Sequence, residues 1–212
     1  MQQQAREARR VHAIATAAER IVGAVNRTGY GHGIIIDAAT GTYITDCSGF
    51  VSLVLEEVAP VHYGAIPHEV DHSYPRAFEF FSYFAAQPTD TSLGWRRIEC
   101  VADLTGGDIM AWRKRRIEDD QDSGHVLVAA EPARPLAPEV WAVRVYDSTD
   151  LRHFDDSRYS DGVFTSGIGT GTILLHVDGR DRPTAFQFGP DDAVHELPIA
   201  VGRLEALTIT RR

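Results

Sequence analysis

A succession of short apolar runs crowds the C-terminal half of this chain, and it limits the possible folds more than any other feature. Asp108–Trp112, His125–Ala130, Val140–Asp147, Thr172–Val177, Ala185–Phe188 and Leu204–Thr210 are rich in β-branched and aromatic residues, with Gly, Pro and Asp turns between them. Their close spacing predicts antiparallel neighbours. The N-terminal part has a different period. Val11, Ile14, Ala15, Ala18, Ile21, Val22 and Val25 fall on one helical face with Arg and Glu opposite, and Gly29 is expected to end that helix. Phe50, Val51, Val54, Leu55 and Val58 repeat the spacing as far as Pro60. A further helix is predicted over Pro75–Gln87, with Ser73 near its start, Phe78, Phe81 and Phe84 facing inward, and Pro88 stopping it. Helices followed by strands predict an α+β fold. At 212 residues and 43% hydrophobic content, one domain is expected over 1–212, its N-terminal helix (1–28) packing on a core of 29–212.

The formal net charge of −9 argues against a nucleic-acid partner and against bulk attraction to anionic membranes or wall polymers. No stretch approaches the roughly 18 apolar residues of a membrane span. Met1–Glu7 lacks an apolar signal core, so no export signal is encoded in these residues. Two cysteines cannot build a dense disulfide framework. A Cys47–Cys100 bridge would quench the better-placed thiol, and Cys100, within Arg97–Val101, reads as a buried strand residue.

Thr45-Asp46-Cys47-Ser48-Gly49 puts Cys47 in the first turn of the second helix. Unpaired backbone N–H groups and the helix dipole there favour an anion, so a thiol is expected to lose its proton more readily. Asp46 is a candidate N-cap. Upstream, Gly29-Tyr30-Gly31-His32-Gly33 precedes the strand-like Ile34-Ile35-Ile36, and Asp37–Thr42 is a second turn. The glycine-flanked Tyr30 and His32 are either half-exposed turn residues or part of a substrate-contacting loop. His68-Glu69-Val70-Asp71-His72 matches the H-E-x-x-H zinc pattern, alongside His62. Zinc chemistry needs that pattern on a helix, whereas Pro67 and Pro75 bracket it, so a loop is predicted and no metal is assigned. Arg113–Arg116, followed by Glu118, Asp119, Asp120 and Asp122, reads as a solvated hairpin loop. Gly167–Gly171 lacks the strand-before, helix-after context of a dinucleotide site, and Ala133–Pro138 reads as a loop.

A thiolate nucleophile works with a base and a third polar group that orients the base. His125 opens one strand, and Asp147 ends the next on the same face as Val143 and Val145. If those strands are antiparallel neighbours, both residues lie at one end of the sheet. Asp46–Val51, Gly107-Asp108-Ile109 and Gly124-His125-Val126 occur in the order that resembles the NlpC/P60 cysteine peptidases of the papain-like superfamily, over about Tyr30–Asp147. The resemblance implies a papain-like fold with the cysteine helix on an antiparallel sheet. It also implies Cys47 as nucleophile, His125 as general base and acid, and Asp147 as the orienting residue, where the family more often has His, Asn or Gln. Tyr30, Asp46 and Ser48 would shape the substrate's amino-terminal pocket. The activity implied is a cysteine peptidase or amidase acting on a short cell-wall-type peptide or a related amide, without a cofactor. An acyltransferase with the same residues, a zinc peptidase using His68, Glu69 and His72, and a silent binding domain are the alternatives.

Overall fold

The structure, a computed structural model, describes residues 2–91, 94–117 and 122–205, with residues 2–12 as backbone only. In chain order it runs α1 (Gln2–Ala24), β1 (Arg27–Gly29), β2 (Ile35–Asp37), β3 (Thr42–Ile44), α2 (Cys47–Val58), α3 (Pro60–Tyr63) and α4 (Ala77–Ala85). There follow β4 (Gly94–Ile98), β5 (Ile109–Arg113), β6 (Gly124–Ala129), β7 (Arg134–Ala137), β8 (Val140–Thr149), β9 (Tyr159–Ser160), β10 (Val163–Phe164), β11 (Gly167–Val177), β12 (Pro183–Gln187) and β13 (Ile199–Glu205). The result is a mixed α/β architecture with few helices and one large antiparallel sheet. Strand order in that sheet is β12-β11-β8-β6-β5-β13-β4, with β7 pairing β8.

Strand alternation separates two cores. Ile109 and Ala111 of β5, with Val126 and Val128 of β6, face a cluster built with Ile14, Ala18 and Ile21 of α1, Phe50, Val54 and Leu55 of α2, and Phe80 and Phe84 of α4. Met110, Trp112, Leu127 and Ala129 point the other way and pack with Val143, Val145, Ile173 and Phe186. Ile98 from one sheet edge and Phe186 from the other share this second cluster, so the sheet curls and fills its own concave face. The helices therefore cover the convex face only. A small sheet, β1-β3-β2, delivers the chain to α2, with β1 parallel to β3 and β2 antiparallel to it.

Several expectations need correction. α1 ends at Ala24, and Gly29 belongs to β1. α4 is shorter than Pro75–Gln87, because Arg76 and Glu79 set its start rather than Ser73, and it buries Ala77 and the i, i+4 pair Phe80 and Phe84 while Phe78 and Phe81 are half-buried. Glu79 Oε2 accepts the Arg76 N–H at 2.6 Å. Pro60 closes α2 and opens α3 at its first position, where a missing N–H costs nothing. Cys100 lies beyond the end of β4, half-buried, and both cysteines are free thiols. Ala133–Pro138 contains strand β7, and Gly167–Gly171 begins the long β11. The last strand starts earlier than Leu204, and residues 206–210 lie outside the described residues, as do Glu118, Asp119 and Asp120. The loop between β5 and β6 is a hairpin connection, tied by Lys114 to Asp122 at 2.8 Å. Among the described residues no helix is long and apolar enough to cross a membrane.

Candidate active site

Cys47 is the first residue of α2 and is buried. Asp46 is its N-cap in extended conformation, and Asp46 Oδ1 accepts the Gly49 N–H at 2.8 Å. The cap thus uses the third N–H of the helix and leaves that of Cys47 to other partners. Gly49 has a steric reason: a Cβ there would come 3.1 Å from Ile34 Cγ1 and closer still to Thr45 Oγ1. The first turn of the helix therefore presses against the preceding loop. Ser148, the neighbour of Asp147 on β8, donates to the Thr45 carbonyl at 2.6 Å, which ties the entry to α2 to the sheet.

His125 sits at the start of β6 and is buried. Its ring contacts Trp112 and Phe188, with centroids 5.3 and 5.2 Å away. Gly124 must stay small, because its φ is +144° and a Cβ would lie 2.0 Å from the Trp112 carbonyl oxygen. β6 and β8 are antiparallel neighbours, pairing Val128 with Tyr146. They are not joined as a simple hairpin, since β7 intervenes. His125 Nε2 meets Asp147 Oδ2 at 2.8 Å, so Nδ1 is the ring nitrogen left for Cys47. Burial alone would push the His125 pKa down, but the Cys47 charge, the Asp147 hydrogen bond and the Cys47 hydrogen bond outweigh it, and the pKa is pushed up to about 10. Cys47, His125 and Asp147 are therefore brought together.

Asp147 is fully buried and serves three donors. Besides His125, His153 Nε2 reaches Oδ2 at 2.8 Å and Arg158 Nη1 donates to Oδ1 at 2.9 Å. Burial raises its pKa, yet His153, Arg158 and the hydrogen bonds from both histidines hold the carboxyl well below the ordinary range. Nothing in the sequence pattern of Leu151–Arg158 points to this role. The segment folds back along β11, where Phe154 and Thr172 exchange backbone hydrogen bonds and Ser157 N–H donates to the Thr170 carbonyl. A signal for it existed in Gly167–Gly171. A Cβ on Gly169 would strike Arg158 Cδ at 2.7 Å, and one on Gly171 would strike His153 Cβ at 2.4 Å. These glycines make room for the two side chains that hold Asp147.

A cleft of about 340 Å³ opens over Cys47. Tyr30, Asp46 and Ser48 all line it, together with Asp71, Tyr74 and Asp122. Tyr30 is held well above its ordinary pKa, first by burial and then by Cys47 and Asp46, so its hydroxyl stays protonated beside the thiol. Ser48 Oγ is 3.8 Å from Cys47 Sγ. Asp46 Oδ2 meets His32 Nδ1 at 3.2 Å and the Tyr74 hydroxyl at 3.1 Å, so the cap residue is also a wall residue. Residues 68–72 form an irregular stretch and a turn, closed by His72 N–H to the Glu69 carbonyl at 3.0 Å, and no helix spans the H-E-x-x-H pattern. Among the described residues no group of three or more His, Cys, Asp or Glu side chains is arranged to hold a metal ion. Asp71, His72, Ser73 and Tyr74 of this turn instead form one wall of the cleft.

No family model matches the chain, and no solved structure matches it. It is similar to uncharacterized protein R653 of Acanthamoeba polyphaga mimivirus, 27% identical over 184 residues that cover 76% of this chain and 78% of the viral protein.

Proposed function

We propose that this chain is a papain-like thiol hydrolase that cleaves an amide bond in a short peptide through a thioester on Cys47. The observation that carries the reading is the buried relay from Cys47 through His125 to Asp147, open to solvent by a cleft along the α2 N-terminus. The arrangement of a cysteine heading a helix, a histidine on the facing sheet and a polar residue on the adjacent strand supports the NlpC/P60 resemblance. Cys47 Sγ, as the thiolate, attacks the substrate carbonyl carbon. The Cys47 N–H is positioned to help hold the developing oxyanion. Imidazolium His125 then protonates the leaving amine as the carbon–nitrogen bond breaks. Neutral His125 takes a proton from water, the hydroxide so formed opens the thioester, and the carboxylic acid leaves with the thiolate restored. Asp147 keeps the ring oriented with Nδ1 toward sulfur. The cleft admits a few residues of an extended peptide, and the carboxylates of Asp46, Asp71 and Asp122 around it favour a substrate carrying an amine.

Labelling with iodoacetamide at neutral pH tests the reading. Cys47 is expected to react at least about tenfold faster than a free cysteine, and His125→Ala is expected to remove that advantage. Equal rates for Cys47 and a free cysteine, unchanged by His125→Ala, would sink the proposal.

A further inference from the structure

We infer that Arg158 is a positioning residue that offsets part of the charge of Asp147, so that this carboxylate orients His125 while holding its proton less tightly than an unpaired carboxylate would. The inference rests on the thiol-hydrolase reading above. A buried carboxylate beside an imidazole poses a problem for that chemistry. It aligns the ring, but it also stabilises the imidazolium, which must give its proton to the leaving amine. A neutral orienting group avoids the difficulty. Here the carboxylate is present, and its other oxygen faces a guanidinium.

Arg158 is buried and fully engaged. Nη1 donates to Asp147 Oδ1 at 2.9 Å and to the Gly167 carbonyl at 2.8 Å, while Nε and Nη2 donate to Asp156 at 2.8 and 3.0 Å. Asp156 also accepts the His153 and Arg158 N–H groups at 2.7 and 2.9 Å, which fixes the loop that presents both side chains. His153 takes Asp147 Oδ2 through Nε2, sharing that oxygen with His125, and stacks on Phe188 with its ring 6° from parallel. His153 Nδ1 has no polar partner among the described residues. Cys47 from α2 and Asp147 from β8 act on the His125 proton directly, and His153 and Arg158, the latter held by Asp156, reach it through Asp147. Tyr30, Asp46 and Asp122 border the same cleft. Trp112 and Phe188 complete the surroundings of the ring without charge. Arg158 is the fixed cation of this set, so its removal leaves the cluster more negative and raises proton affinity at every member.

The test is the pH profile of Cys47 alkylation by iodoacetamide in the full chain. In Arg158→Gln, both the rise at low pH and the second inflection at high pH are expected to move up by about one unit. Arg158→Lys keeps the charge in the same place and is expected to hold both inflections near their wild-type positions. A role confined to holding the loop would lower the rate and leave the inflections where they were, or move them equally in both variants. Either result overturns the inference. Should Arg158→Gln fail to fold, Arg158→Lys measured beside Asp147→Asn decides: Asn is expected to lower the upper inflection while Lys leaves it in place, and a shift in Lys as large as in Asn overturns it. Failure of the parent reading looks different, because wild-type Cys47 would then show no enhanced alkylation at any pH.

Discussion

Two histidine pairs in this chain invite comparison. His68 and His72 stand four apart in a pattern that reads as a metal site, yet His68 is exposed, His72 is half-buried, and only His72 lines the cleft. His125 and His153 stand far apart in sequence, one on a strand and one on a loop, and both reach Asp147 Oδ2 at 2.8 Å. On the proposed reading, chemistry follows convergence in space. Spacing along the chain brings groups together only when a regular element converts it into geometry, and the prolines around His68–His72 remove that element.

The strongest way to break the comparison is to remove the point of convergence. Asp147→Ala leaves Arg158 and two imidazoles facing an empty site in the core. Loss of one partner of a buried ion pair costs about 3–5 kcal/mol, and a deficit of that order is expected in urea unfolding. A loss below about 1 kcal/mol would mean that the network is hydrated and that the convergence carries little energy.

Much of the site could be read beforehand, for physical reasons. The helical stripe after Cys47 and the extended cap at Asp46 are local, so the thiol's place at a helix start followed from spacing alone. The period of two placed Asp147 with Val143 and Val145, and all three face the concave core. The sheet also followed from its short runs. What stayed hidden depends on tertiary contact. β13 inserts between β5 and β4, a pairing of distant segments that no local pattern encodes. The inward face of α4 carries Phe80 with Phe84, an i, i+4 pair, rather than Phe78 and Phe81, because the element it packs on is chosen by tertiary contact. His153 and Arg158 were illegible for a similar reason. Their loop is irregular, and the glycines that admit it lie on a different strand, where their spacing resembled a weak nucleotide motif.

A medium-sized effect sharpens the electrical side of the comparison. The His125 pKa is raised above its ordinary value of 6.5 to about 10, so its ion pairing contributes stability that is fully present below pH 6.5 and is lost as pH rises through about 10. Between those limits wild type should lose stability relative to His125→Gln by about 1.4 kcal/mol per pH unit, the slope for one proton. Urea unfolding of both proteins between pH 6 and 10 measures the difference. A constant gap would show that His125 carries no extra proton in the folded chain.

The smallest effect is expected at His68, and it is the most informative about the rival pair. His68 does not line the cleft, while its neighbours Asp71, His72, Ser73 and Tyr74 do. The segment is anchored without it: the Glu69 N–H donates to Glu79 Oε1 at 2.8 Å, and Glu69 Oε2 lies 3.6 Å from Arg76 Nη1. His68→Ala should therefore leave the unfolding midpoint at its wild-type value and the Cys47 labelling rate within about twofold. A metal-dependent mechanism demands the opposite, since removing one of two histidine ligands abolishes binding and turnover together. Metal analysis of both proteins, run beside the labelling assay, separates the two cases. Stoichiometric zinc in wild type that disappears in His68→Ala, with activity lost alongside it, would move the chemistry from the buried pair to the exposed one.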